Sequence, residues 1–190
     1  MWMPESLEHP AKRCAVSYPQ KMDRAYPIGK FKRPENITAE DRARWIDEIA
    51  ALPGRMREAV YELADHQLDV PYRPGGWTAR QVVHHVADSH MNCYIRFKLA
   101  LTEDNPVIKP YDQDRWAEIE EARAGAVGPS LALIEALHDR WSRTLRGMRE
   151  SDFLRTFRHP EQGTVRLDAA LALYAWHGRH HLAHVRSVPH

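Results

Sequence analysis

The chain has 190 residues, 43% hydrophobic and 28% charged, with a formal net charge of +1. That length suits one domain with a proper core, and the composition is that of a globular chain. So small a charge offers no basic field for a nucleic acid backbone, and no apolar run reaches the roughly 18 residues of a membrane span, so neither partner is expected.

The opening stretch, MWMPESLEHPAKRCAV, lacks the apolar centre of a secretory signal, so the cytoplasm is the expected compartment. Residues 1–26 are polar, carry three prolines and show no periodicity. They read as an N-terminal extension to a domain spanning 27–190. Met22 offers a second candidate start. Cys14 and Cys93 form no spaced motif and imply no disulfide scaffold.

The first helix opens near Thr38, where TAED resembles a capping box with Asp in the reciprocal position. Trp45, Ile49, Leu52, Met56, Val60 and Leu63 follow at spacings of three and four, one apolar stripe. Pro53-Gly54 predicts a kink or two abutting helices. The second helix opens at Thr78, where TARQ is a capping box, and runs to about Leu101. A long connection from Asn105 to Pro129 follows, with a short helix near Trp116. Connections of that length are more often functional than idle. The third helix is expected from an N-cap at Ser130 to about Met148, with Ile134, Leu137, Trp141, Leu145 and Met148 as its apolar stripe. FRHPEQGTVRL reads as irregular and turn-rich. The fourth helix runs from about Asp168 to Val185. Four long helices without convincing strands predict an all-α four-helix bundle.

Twelve histidines are the compositional oddity, clustered in HHVADSH (84–90) and WHGRHHLAH (176–184). Residues i and i+4 share a helix face. His177 and His181 continue the apolar stripe of Ala170, Leu173 and Tyr174, whereas His180 sits about a third of a turn off it. In the second helix His85, Ser89, Asn92 and Arg96 form a mainly polar line beside the stripe of Val82, Val86, Cys93 and Phe97, and Asp88 adjoins it. A polar line of this kind is an exposed face or the wall of an internal pocket. His85 with His177 and His181 is therefore a candidate metal set between two helices. The bland reading is a set of hydrogen-bonded or exposed imidazoles. No HExxH motif is present, so metalloprotease chemistry by that route is not indicated.

The stretches PYRPGGWTARQVVHHVADSHMNCYIRFKLALTEDNPVIKPYDQDRWAE and LALYAWHGRHHLAHV closely resemble YfiT-type proteins of the DinB-like superfamily. The likeness covers most of the chain after residue 25. It implies a four-helix bundle holding one divalent ion, zinc or nickel, on three histidines, which match His85, His177 and His181 here. It also implies a metal-dependent hydrolase, or an enzyme transferring a low-molecular-weight thiol onto electrophiles, acting on a small molecule as a homodimer. A metal-binding bundle without catalysis is the reading of another class. Gly178 and Arg179 stand where such sequences can be richer in histidine, and Gly178 weakens the helix by about 1 kcal/mol relative to Ala.

Three imidazoles leave a divalent ion an open position for water or substrate. Such an ion lowers the pKa of bound water from 15.7 toward about 7, and deprotonates a bound thiol. Asp88 is a candidate to orient a ligand imidazole. Asn92 and Arg96 are candidates to bind an anionic part of the substrate. Tyr111, Asp112 and Trp116 are candidates for a pocket wall or lid, or for plain closure of the bundle end. Tyr174 reads as core. His84 and His90 fall off the ligand line and are expected at the surface or in hydrogen bonds, either able to shuttle a proton. His138, His159 and His190 have no partner at useful spacing. Trp2, Trp45 and Trp141 are candidates for dimer contact area.

Overall fold

The computed structural model describes residues 23–189. Cys14, Trp2, His190 and nearly all of the expected extension lie outside them. Four long helices carry the fold: α1 (Ala39–Tyr61), α2 (Ala79–Thr102), α5 (Val127–Arg146) and α7 (Leu167–Arg186). Both predicted capping boxes are present. Thr38 Oγ1 accepts from Asp41 N at 3.1 Å while the Asp41 carboxylate accepts from Thr38 N at 3.2 Å. Thr78 Oγ1 accepts from Gln81 N at 3.2 Å, and Gln81 Oε1 from Thr78 N at 3.0 Å.

Helices α1 and α2 each pack on both α5 and α7, so α1 stands diagonally across the four-helix bundle from α2, and α5 from α7. One end of the core gathers Ile49, Phe97, Trp141 and Leu171, and the other Met56, Val82, Ile134 and Val185. Trp45 and Trp141 belong to this interior and offer no area to a dimer.

Three sequence expectations need correcting. Of the two outcomes expected at Pro53, a kink or two abutting helices, the second is excluded: α1 is continuous through it. Pro53 has no N–H for the carbonyl of Ile49, four residues earlier. His138 Nδ1 lies 2.6 Å from that oxygen and replaces the missing donor from α5. Ser130 is not an N-cap. The helix starts three residues earlier, after Ala126, with Pro129 in the first turn where its missing N–H costs nothing. Ser130 is buried and its hydroxyl lies 2.8 Å from His84 Nδ1. Finally, the turn-rich segment forms a hairpin, β1 (Thr156–His159) paired antiparallel with β2 (Gly163–Arg166). Phe157 and His159 point inward, and Gly163 takes φ of 72° to make the turn.

The connection after α2 holds two short helices, α3 (Gln113–Ala117) and α4 (Glu120–Ala124). It is tied to the hairpin by Ile108 N donating to Arg158 O and Arg158 N to Pro106 O, at 3.0 and 2.8 Å. The short α6 (Glu150–Phe153) leads into β1. Connection and hairpin together wall one side of the bundle beside α2 and α7.

Candidate metal centre

Helix α7 carries His177 and His181 one turn apart, and α2 carries His85 opposite them. One nitrogen from each of the three lies within 4.8 Å of the others. His85 Nε2 and His177 Nε2 are 3.2 Å apart. Two nitrogens bound tetrahedrally at ~2.0–2.1 Å to one zinc would be about 3.3 Å apart, so the spacing fits a shared ion. The donors are also in the right protonation state. Burial pushes His85 down to about 4, with His180 adding to the shift. Burial first, and neighbouring imidazoles second, hold His177 and His181 well below the ordinary histidine range. All three are neutral at pH 7, the form that ligates metal. A second trio, His180, His181 and His184, is also compact, but it lies on one turn of α7 and shares His181 with the first. Its His184 stacks on Tyr72 at 3.9 Å between ring centroids, with Nδ1 3.4 Å from His181 Nδ1.

Two clefts reach the first trio. The larger, of about 570 Å³, is lined by Arg96, Tyr111, His159, Tyr174 and His177 among others. The smaller, of about 370 Å³, is lined by Trp77, His85, His177, His180 and His181. His177 and Gln113 border both. Volumes of this order suit small-molecule ligands.

The other candidates separate clearly. Arg96 and Tyr111 face the larger cleft, and no carboxylate lies within ion-pair distance of Arg96 among the described residues. Trp116 backs Tyr111, with ring centroids 4.6 Å apart. Asn92 is turned to its own helix, its amide donating to Asp88 O at 2.9 Å. The Asp88 carboxylate bonds none of the three imidazoles among the described residues; burial first, and Glu121 second, raise its pKa. Tyr174 is core, its hydroxyl accepting from Ser89 Oγ at 3.3 Å.

Sequence reasoning left three other imidazoles outside the ligand set, with His90 expected at the surface or in hydrogen bonds and His138 without a partner at useful spacing. His90 and His138 are fully buried, and His90 Nε2 lies 3.1 Å from His177 Nδ1. His184 meets His181 in the same way. One signal was available: His138 falls four residues after Ile134 and three before Trp141, on the apolar stripe of its own helix.

A profile of the DinB superfamily matches residues 48–185, and the chain belongs to that superfamily. It is 52% identical over 166 residues to a Bacillus mycoides (strain KBAB4) protein named "Putative metal-dependent hydrolase", covering 87% of this chain and 95% of that one. A Bacillus cereus (strain 03BB102) protein of the same name is 54% identical with the same coverage. The structure of YfiT from Bacillus subtilis, titled "a probable metal-dependent hydrolase with an unusual four-helix bundle topology", matches with a TM-score of 0.84. It is 47% identical, over 87% of this chain and 95% of that one.

Proposed function

We propose that the protein is a metal-dependent hydrolase of small molecules, with one zinc or nickel ion held by His85, His177 and His181. The observation that carries this is the trio itself: three neutral imidazoles from two helices, two buried and His177 half-buried, converging at the edge of open clefts. A structural metal site would be closed by a fourth protein ligand. The relatives' names support the same reading. When bound, the ion would acidify a water or a thiol at neutral pH. Arg96 would anchor a carboxylate or phosphate of the substrate in the larger cleft, as a guanidinium without an ion-paired carboxylate can, although Asp112 and Glu161 line the same cleft. Tyr111, braced by Trp116, would close that cleft over it. Asn92 and Asp88 are expected to tune the polar wall without touching the ion.

Elemental analysis of untagged protein tests the site. About one equivalent of zinc or nickel per chain is expected, lost in His85→Ala and in His177→Ala, together with hydrolysis of a chromogenic ester panel. Retention of the ion in both variants would overturn the assignment.

A second reading, transfer of a low-molecular-weight thiol onto an electrophile, is favoured by one observation. The trio opens on two clefts, room for two reactants. Incubation with monochlorobimane and individual cellular thiols decides between them. Conjugation specific to one thiol and dependent on the ion would select the transferase; hydrolysis alone would select the first reading.

A further inference from the structure

All three imidazoles of the trio, His85, His177 and His181, line the smaller cleft, whereas His177 alone of them reaches the larger. A group that meets all three therefore lies in the smaller cleft. Its walls include Tyr26, Tyr72, Trp77 and Trp176, and its charged side chains are Arg73 and Asp114.

Arg73 is placed there by its own local sequence. In RPGG, Pro74 and Gly75 hold the central positions of a type II turn, which requires positive φ at the second. Gly75 has φ of 67°, and Gly76 N donates to Arg73 O at 2.9 Å. Tyr72 N donates to Trp77 O at 3.2 Å and closes the loop outside the turn. Gly76 leaves room for the arginine: a Cβ there would stand 2.7 Å from Arg73 Cγ. The side chain lies over the Tyr72 ring, with Cζ 5.6 Å from its centre. Tyr72 is buried and stacks in turn on His184.

So placed, Arg73 keeps donors in reserve. Its Nη1 donates to Pro74 O at 3.3 Å, and its Nε has no partner. No carboxylate lies within ion-pair distance of it among the described residues. Asp114 of the same cleft is exposed on α3. A guanidinium binds a carboxylate or phosphate through two parallel bonds. It also repels the cations that aromatic walls alone would attract. The rings suit a flat apolar body attached to the anion.

We infer that Arg73 is a specificity-determining residue, and that the smaller cleft takes a flat, aromatic anion and holds it beside the three imidazoles. Arg96 stands in the other cleft, so the trio lies between two guanidiniums. Whatever fills both clefts carries an anionic group on each side of the reacting atoms. Calling that ligand a substrate rests on the hydrolase reading; the anion site itself does not.

The test uses protein labelled with ¹⁵N at tryptophan, as purified and again after treatment with a chelator. Phenylphosphonate should move the indole signals of Trp77 and Trp176 saturably in both samples. Arg73→Gln should weaken this binding about 10–100-fold, the scale of a hydrogen bond to a charged group. Arg73→Lys, which keeps the charge and loses the fork, should recover part of it. Unchanged affinity in Arg73→Gln would overturn the assignment. So would movement of Trp116 alone, which backs Tyr111 at the larger cleft, and so would binding abolished by the chelator, which would give the anion to the ion. If Arg73→Gln does not fold, the chelated parent decides: neutral benzyl alcohol binding as tightly as phenylphosphonate would overturn the site, and much weaker binding would support it. None of these readouts needs turnover. Failure of the ester panel would sink the hydrolase reading, and the indole shifts would still decide Arg73.

Discussion

Arg96 is the charged group in the larger cleft that no carboxylate neutralises among the described residues. A guanidinium in that position discriminates between substrates by charge. Arg96→Met should raise KM for anionic esters about 10–100-fold, the scale of one charge-assisted hydrogen bond. Neutral esters and metal content should be unaffected; an equal loss for both ester classes would remove Arg96 from recognition. The residues that sequence could reveal are those whose meaning lies within one helix. His177 and His181 repeat at i and i+4 on an apolar stripe, and His85 opens a mainly polar line of α2. His90, His138 and His184 depend on what stands opposite them across the bundle. Neither the Ile49 carbonyl nor the stacked Tyr72 is visible in a sequence pattern.

At the scale of elements, the long helices were legible because each has many turns in which to repeat its stripe, and two open on capping boxes. The hairpin was not, since a four-residue strand allows only two inward positions, here Phe157 and His159. Pro53 misled because its local effect is answered from another helix. Gly178 has a similar explanation in packing. A Cβ there would lie 2.6 Å from Leu52 Cδ2 of α1, so the glycine leaves room for the Leu52 side chain between α1 and α7. Gly178→Ala gains about 1 kcal/mol of helix propensity but overpacks a buried contact at a cost of about 2 kcal/mol. A net loss of about 1 kcal/mol is expected in urea unfolding. Adding Leu52→Val should return part of it. A stabilised single variant would show that the Leu52 side chain moves aside without cost.

For the molecule as a whole, buried imidazoles make the metal-free fold sensitive to acid. Burial pushes His138 down to about 4, partly offset by its bond to Ile49. In the unfolded chain it titrates near 6.5. Between those values the unfolded state binds the extra proton, so stability is complete above about pH 6.5 and is lost as pH falls toward 4. This one residue contributes up to about 3 kcal/mol across that window. Urea midpoints between pH 7 and pH 4.5 should decline in the parent and more gently in His138→Leu, by about one proton in slope. Equal slopes would mean His138 takes up its proton without unfolding.

The trio also has two approaches, parted by Gln113 and meeting at His177. Traffic through such a centre need not reverse itself: what enters beside Arg96 does not have to wait for the mouth beside Trp77 to clear. A bulky anion lodged at the first mouth would then be noncompetitive against a small reactant arriving at the second.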